Sequence, residues 1–346
     1  MSRVPHCSAH VVPVDRRRFL RSASAVALAA GSAPVWAQAK PTLSGAPATS
    51  ESVVARLFGS LTERQKKVVS FAWGHQDPER GLLRTRVSNN WKITEPEINS
   101  DFYSDEQREM IRDIFEGLLQ ADWIPRFDRQ LKDDTGGFGQ GQSIALFGTP
   151  GEDKFEFVLT GRHMTLRCDG NSTPHVAFGG PIFYGHAAGG HFRETARHPG
   201  NIFWPQAVAA NALYQMLDGK QRKMALVVEG MPPEQNVRFQ GARGPRQGIR
   251  VTELSADQKA HLQGILKKLI APYRQTDRDE VIACLNTQGG LDPCRLAFYQ
   301  QRDIGGDGVW DVWRLEGPAF VWHFRGAPHV HVWVNVANDP SVKLNA

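Results

Sequence analysis

The chain has 346 residues and a formal net charge of +5, from 41 Lys and Arg against 36 Asp and Glu. Residues 1–39 contain five of the basic residues and one of the acidic residues, so the rest of the chain holds 36 and 35 and is almost neutral. This balance, without a zinc-finger or RNP motif, argues against a nucleic-acid-binding protein. No later segment approaches the ~20 continuous apolar residues that span a membrane, so no membrane association is expected once the N-terminus is removed.

The N-terminus has the three parts of a twin-arginine signal peptide in order. A basic segment at residues 16–21, Arg-Arg-Arg-Phe-Leu-Arg, precedes an apolar run at 23–30. Residues 37–39, Ala-Gln-Ala, supply the small side chains that a signal peptidase requires for a cut before Lys40. The sequence therefore predicts a signal peptide over residues 1–39, an interaction with the twin-arginine export machinery, and a periplasmic or otherwise extracytoplasmic location.

Three cysteines follow the predicted cleavage site: Cys168, Cys284 and Cys294. An odd number in an oxidising compartment suggests one disulfide and one free thiol, and the turn-rich segment between Cys284 and Cys294 favours their pairing. The alternative is that both are unpaired core residues. Because no Cys-x-x-Cys occurs, thiol redox chemistry and a cysteine-rich zinc site are not expected.

Four short motifs predict helix starts, at Thr62, Ser104, Asp218 and Ser255. In each, a side-chain oxygen at the N-cap faces the amide of the third helical residue, and a glutamine at that position reaches back to the cap. A repeat array would also place similar motifs along the chain. Because their spacings are irregular and nothing else recurs, the motifs are interpreted as local caps.

Residues 155–168 are the best candidate for a β-hairpin. A two-residue turn at Gly161-Arg162 would pair Thr160 with His163 and Glu156 with Arg167. One face of this hairpin is apolar and consists of Phe155, Phe157, Leu159, Met164, Leu166 and Cys168. The other face is polar and carries His163. A shift of one residue would mix the two faces, so this register is predicted.

A second sheet region is predicted over residues 309–336, with strands at 309–315, 319–324 and 329–336. Valine alternates with polar or aromatic residues in the last strand. One face has Val330, Val332, Val334 and Val336, and the other has His329, His331, Trp333 and Asn335. This period of two is typical of a strand with one buried face.

The predicted elements make up a single α+β domain over residues 51–346. The antiparallel sheet regions at 155–168 and 309–336 are expected to pack with the capped helices. Residues 40–50, rich in Pro, Ser, Thr and Ala, are typical of a disordered linker between the signal peptide and this domain.

His329 and His331 are the strongest candidates for chemistry. Side chains at i and i+2 of a strand project from the same face, so both imidazoles can bind one ion, although two ordinary hydrogen-bonded histidines are the alternative. His163 and His323 are the candidates for further ligands, since each lies near a strand end. A four-residue loop after Phe324 would place His323 on the valine face, whereas a five-residue loop would pair it with His329.

Five motifs from residue 155 to the C-terminus resemble a known family. They are Gly161–Leu166, which matches a strand that carries Gly-His-His, Pro181–Gly185 (Pro-x-Phe-x-Gly), Leu217–Arg222 (Leu-x-x-x-Gln-Arg), Gly317–Phe320 (Gly-Pro-x-Phe) and His329–His331 (His-x-His). In these motifs the chain is similar to the bacterial and fungal family known as domain of unknown function 3500. Arg162 stands where the family has its first histidine, and His323 where it tends to have a glutamate. The resemblance implies a family and supports metal ligands at these positions, but it implies no reaction.

Other candidates are weaker. Glu156 or Asp169 could act as a general base, but no spacing selects either. His186 and His191 lie in a glycine-rich segment that could line a pocket, although a surface loop is the simpler interpretation. The basic segment 241–248 could bind an anion, although a solvated loop is the simpler interpretation.

The sequence thus predicts an exported metal-binding protein, and in particular a metal-dependent enzyme that acts on a small-molecule substrate. Its single ion would be held by a histidine site: His163, His329, His331 and, as a fourth ligand, His323. Imidazole ligands favour copper, zinc or iron. No catalytic residue is identified, and no nucleotide cofactor is expected without a P-loop or Gly-x-Gly-x-x-Gly motif. The alternative is a non-catalytic periplasmic protein that binds a small ligand between the face of Trp333 and His331 and the 184–191 segment.

Overall fold

The structure is a computed structural model that describes residues 49–187, 201–301, 310–326, 328–342 and 344. These residues belong to one compact unit, which runs from Pro47 to Ala346. The predicted signal peptide lies outside the described residues. None of the described helices is long and apolar enough to cross a membrane.

Eight α-helices occur in the described residues. They are α1 (Ser50–Ser60), α2 (Glu63–Val69), α3 (Asp105–Gly117), α4 (Ile124–Thr135), α5 (Trp204–Met216), α6 (Gly219–Ala225), α7 (Ala256–Ile270) and α8 (Gln275–Thr287). Helix α1 already begins at Ser50, with Thr49 as its N-cap, so the predicted linker is too long at its C-terminal end.

The described strands form two sheets. They are β1 (Ser70–Phe71), β2 (Gln76–Asp77), β3 (Gly81–Leu82), β4 (Ser143–Gly148), β5 (Phe155–Gly161), β6 (Met164–Cys168), β7 (Ile182–His186), β8 (Leu226–Val227), β9 (Ile249–Arg250), β10 (Arg295–Tyr299), β11 (Val312–Gly317), β12 (Phe320–Arg325) and β13 (Val330–Val336). Strands β2 and β3 pair with each other, and the other 11 form one large sheet. Both predicted sheet regions belong to this sheet, which confirms the α+β fold.

The strand order of the large sheet is symmetric about its centre: from each edge inward, a short strand is followed by four long strands in chain order. It is β1-β4-β5-β6-β7-β13-β12-β11-β10-β8, with β9 beside β10. Each edge strand runs parallel to its neighbour, and the strands between the edges are antiparallel. Each half of the chain also supplies four α-helices before its run of four long strands. The sheet is therefore built from two similar halves that meet at β7 and β13.

The four predicted capping boxes are all present, and they follow the same two-fold pattern. The cap glutamines bond in pairs: Gln65 donates to Gln107 at 2.7 Å, and Gln221 donates to Gln258 at 3.0 Å. Gln107 also donates to the last carbonyl of α1 and Gln258 to that of α5. The four predicted local caps are confirmed, and the structure adds that equivalent boxes join equivalent helices in the two halves.

The two faces of the large sheet differ in polarity. The valine face of β13 and the apolar face of the β5–β6 hairpin lie on the same side, where they pack against the helices in one hydrophobic core. This confirms the predicted core faces. Burial of these apolar side chains is the main force that holds sheet and helices together.

Two long segments cover the polar face of the sheet. The first covering segment, residues 72–104, is fixed where the amide of Ile93 donates to Thr160 Oγ1 at 2.9 Å. The second covering segment, residues 228–248, is fixed where Asn335 donates to the carbonyl of Val237 at 3.0 Å. Polar side chains on this face, including His331 of β13 and His329 just before this strand, are therefore buried.

The β5–β6 hairpin differs from the prediction in its register. Thr160 pairs with Thr165, and Gly161 pairs with Met164, so the turn residues are Arg162 and His163. The ladder is shifted by two residues, which leaves the faces as predicted. His163 adopts φ +53° and supplies the left-handed position that the prediction gave to a glycine turn.

Cys168, Cys284 and Cys294 are buried free thiols in the structure. The predicted Cys284–Cys294 disulfide is absent, and the alternative of two unpaired core cysteines is what the structure contains. Burial raises the pKa of Cys284 to about 11 and that of Cys294 to about 12. Neither is a reactive thiolate near neutral pH.

Candidate metal centre

His163, His329 and His331 form one buried cluster on the polar face of the large sheet. His163 comes from the β5–β6 turn, His329 directly precedes β13, and His331 lies within β13. One nitrogen of each ring lies within 4.8 Å of the others. The fold thus brings the hairpin histidine and the C-terminal pair together in an arrangement that could hold one metal ion.

A glycine allows the two sheet regions to meet at this point. Strand β7 lies between β6 and β13, so one strand separates the hairpin from the C-terminal strand. Gly185 of β7 lies opposite His331, and its amide donates to the carbonyl of His163 at 3.1 Å. A Cβ on Gly185 would lie 3.1 Å from Cδ2 of His163 and 2.2 Å from the carbonyl oxygen of Val330. Because Gly185 has no side chain, the ring of His163 can occupy this space.

The Nε2 atoms of the three rings converge. Nε2 of His331 lies 3.1 Å from Nε2 of His163 and 3.0 Å from Nε2 of His329. Nitrogen ligands about 2.0–2.1 Å from one tetrahedral ion lie about 3.3 Å from each other. The cluster is therefore close to the geometry of three imidazoles around a single metal ion.

The opposite nitrogens of two of these rings face carboxylates. Nδ1 of His163 lies 2.5 Å from Oδ2 of Asp134, near the end of α4, and Nδ1 of His331 lies 3.3 Å from Oε1 of Glu234 in the second covering segment. A carboxylate at Nδ1 holds the ring proton there and leaves the lone pair on Nε2. Two such lone pairs about 3 Å apart repel each other unless a cation lies between them.

Each carboxylate is balanced by an arginine. Arg162 Nε donates to Asp134 at 2.7 Å, and Arg325 donates to Glu234 at 3.1 Å. Arg162 therefore binds the same carboxylate that orients His163. Arg325 lies opposite His331 in the β12–β13 ladder.

The environment keeps the imidazoles in the form that binds metal ions. Burial lowers the pKa of His163 below 6.5, although Asp134 opposes the shift, and burial with the charge of Arg325 lowers the pKa of His331 well below 6.5. Burial would raise the pKa of Asp134, but its bonds to His163 and Arg162 lower it below 3.8. Near pH 7 the rings of His163 and His331 are neutral and Asp134 is ionised.

His323 does not belong to the cluster. It lies opposite Trp333 in the β12–β13 ladder, while Arg325 occupies the position opposite His331. Neither predicted loop gives this register. The five-residue loop would pair His323 with His329, whereas its observed partner, Trp333, lies four residues later in the sequence. His323 shares the polar face with the other histidines, but its ring lies near that of Tyr299, with 6.2 Å between ring centroids.

The two predicted general bases lie elsewhere. Glu156 is fully buried between two arginines, with Arg84 at 2.8 Å and Arg167 at 2.9 Å. Asp169 accepts the amides of Asn171 and Thr173. Neither carboxylate is part of the histidine cluster.

Two residues of the predicted alternative ligand site, Trp333 and Tyr184, lie on opposite faces of the sheet. Trp333 is buried on the polar face against Phe183, with 4.5 Å between ring centroids. Tyr184 lies on the opposite, helix-covered face, where its hydroxyl donates to Gln206 at 2.9 Å. His186 is buried, and His191 lies outside the described residues.

Sequence reasoning missed Asp134 and Glu234. They lie 29 and 97 residues from the histidines that they contact, and neither stands in a recognisable motif. Asp134 lies in an amphipathic helix and Glu234 in a proline-containing segment, and acidic residues are common in both. Nothing in the neighbouring sequence therefore indicates that these two carboxylates bind histidines. Only the fold brings them to the cluster.

One comparison with known proteins gives a match. The family described as "Protein of unknown function (DUF3500)" matches residues 44–338, which include both halves of the sheet and all three clustered histidines. No curated protein and no solved structure matches the chain at a significant level. The match extends over most of the chain, and the chain therefore belongs to the DUF3500 family of proteins of unknown function.

Proposed function

We propose that this protein is an exported metalloprotein in which His163, His329 and His331 hold one transition-metal ion. The observation that carries the proposal is the position of His331 Nε2, which lies 3.1 Å from Nε2 of His163 and 3.0 Å from Nε2 of His329, with a carboxylate behind two of the rings. Metal-bound histidines typically have such a carboxylate behind them. A purely structural hydrogen-bond cluster would instead direct an N–H toward a lone pair.

Zinc, copper or iron are the ions that this ligand set favours. Imidazole nitrogens suit these metals, whereas magnesium and calcium prefer oxygen ligands. Three protein ligands leave a fourth position for water or substrate, as in catalytic zinc sites, and this supports an enzyme. An ion at such a position can lower the pKa of bound water or, for copper and iron, support oxygen-dependent oxidation.

The surrounding residues have defined parts in this proposal. Asp134 and Glu234 orient His163 and His331 and keep their protons on Nδ1. The Phe183 ring, 5.2 Å from the ring of His331, shields one side of the cluster from water. The substrate is a small molecule, because a buried centre does not admit a macromolecular chain.

Export by the twin-arginine route is the second part of the proposal. It is supported by the arginines at positions 16–18 and the Ala-Gln-Ala before Lys40. A route that carries folded proteins allows the ion to be inserted before export. N-terminal sequencing of the protein from the periplasm tests this part, and a mature chain that begins near Lys40 is expected. A chain that stays in the cytoplasm with Met1 intact would contradict it.

Elemental analysis tests the metal. Protein purified without a histidine tag is expected to contain about one equivalent of zinc, copper or iron, and the His329→Ala/His331→Ala variant is expected to contain almost none. His75→Ala, which removes an imidazole outside the cluster, serves as the matched control and keeps the metal. Equal metal content in the wild type and the double variant would contradict the proposal.

A further inference from the structure

A cavity of about 530 Å³ lies between the second covering segment, the end of β9 and residues 292–295. Four arginines line it: Arg243, Arg246, Arg250 and Arg295. The lining contains one carboxylate, Asp292, which accepts a hydrogen bond from Lys259 at 3.0 Å and is thereby neutralised. The cavity therefore has a strong excess of positive charge.

The arginines lack the partners that would balance them. Among the described residues, none of the four forms an ion pair with a carboxylate. Arg295 lies directly opposite Arg250 in the β9–β10 ladder, where like charges destabilise the pair. Glu316 lies opposite Arg295 on the other side, but it is bound by Arg314 at 3.1 Å. An anion in the cavity would relieve this repulsion.

One of the arginines is held rigidly at the cavity wall. The two Nη groups of Arg246 donate to the carbonyls of Gly241 and Ala242, so its guanidinium is fixed against its own loop. Its Nε is buried and has no hydrogen-bond partner among the described residues. A fixed guanidinium with a donor to spare loses little conformational entropy when it binds an anion.

We propose that this cavity binds a phosphate group, free or as the monoester of a small molecule. Four arginines and no lysine suit the forked, bidentate recognition of phosphate oxygens. A doubly charged anion matches the charge of the cavity better than a single carboxylate does. The volume falls within the roughly 300–1,000 Å³ of small-molecule pockets, so a sugar-sized group fits beside the phosphate. The site is independent of the histidine cluster.

Isothermal titration of the full chain with inorganic phosphate and with a sugar monophosphate tests this proposal, at constant ionic strength in chloride. Arg243→Gln/Arg250→Gln is the test variant, because both side chains are exposed, and Arg56→Gln is the control on α1. The double variant is expected to bind at least about tenfold more weakly, because two charge-assisted contacts are lost. The control is expected to bind like the wild type.

The ligand-free protein supplies a second measurement. At low salt Arg250→Gln is expected to unfold at the same or a higher temperature than the wild type, since it removes the repulsion with Arg295.

Tighter binding of the sugar monophosphate than of inorganic phosphate would identify an esterified ligand, and the reverse would identify the free ion. A Kd above about 10 mM for both, or equal binding by the double variant, would overturn the proposal.

Discussion

Asp134 and His163 are joined by a hydrogen bond of 2.5 Å between Oδ2 and Nδ1, the shortest contact that connects α4 to the β5–β6 turn. Both side chains are fully buried, and the second oxygen of the carboxylate binds Arg162. One carboxylate therefore fixes both residues of a two-residue turn. It determines where the His163 ring points and which of its nitrogens is free.

Asp134→Asn is expected to weaken metal binding by about 10–100-fold, the usual effect of removing a carboxylate behind a metal-bound histidine. The amide has no charge to hold the Nδ1 proton or to balance Arg162. A competition titration against a chromogenic chelator measures the change, with Asp133→Asn as the control on the preceding residue. Unaltered affinity in Asp134→Asn would show that this carboxylate does not orient a ligand.

His163→Asn and His163→Ala are expected to differ in stability although both remove the imidazole. His163 has φ +53°, a conformation that asparagine tolerates and that costs alanine about 1–2 kcal/mol. Urea unfolding in excess chelator should therefore give the lower free energy of unfolding for His163→Ala. Identical values for the two variants would mean that the turn relaxes to another backbone conformation.

Metal removal is expected to lower the unfolding temperature of the wild type. An ion at about 1,000 times its Kd stabilises the folded state by about 4 kcal/mol, which corresponds to roughly 5–10 °C for a chain of this size. Thermal unfolding of the chelator-treated protein, with and without added Zn²⁺ or Cu²⁺, measures the effect. The His329→Ala/His331→Ala variant is the control, and an equal rise in that variant would point to binding elsewhere.

Glu280→Gln is expected to stabilise the protein at alkaline pH. Burial, with the negative charges of Asp169 and Asp277, raises the pKa of Glu280 from 4.5 to about 7. A raised folded-state pKa means that the glutamate contributes stability below pH 4.5 and loses it as the pH rises through 7. The variant should gain roughly 1–2 kcal/mol over the wild type at pH 8, since the group is partly screened by solvent.

Urea unfolding of Glu280→Gln between pH 5 and pH 8 measures this gain, which should grow with pH. Asp279→Asn, at the exposed neighbouring position, is the control and should show a constant difference from the wild type. A gain that is the same at both ends of the range would exclude titration of Glu280 as its cause.

The features that were predicted from the sequence depend on short-range physics. A cap needs only residues three apart, so all four boxes appear where Thr62, Ser104, Asp218 and Ser255 stand. The faces of the strands follow from alternation with a period of two. The same alternation places the side chains of His329 and His331 on one face, since these residues are two positions apart.

The features that were missed depend on long-range contacts. A shift of two residues in a hairpin preserves both faces, so alternation could not distinguish the predicted register from the observed one. The position of His323 opposite Trp333 depends on the β12–β13 register in the same way. Asp134 and Glu234 reach the cluster only through the packing of α4 and the second covering segment.

The mirrored strand order makes the two halves of the large sheet comparable position by position. The turn of Gly317–Phe320 is the counterpart of the turn of Gly161–Met164, and Ala319 stands at the position that His163 has in the first half. The amide of Ala319 donates to Gln288 at 2.7 Å, so the second turn is held by an amide side chain and carries no imidazole. Only the first of these two equivalent turns places a histidine beside His331, and the candidate metal centre therefore breaks the symmetry of the scaffold that carries it.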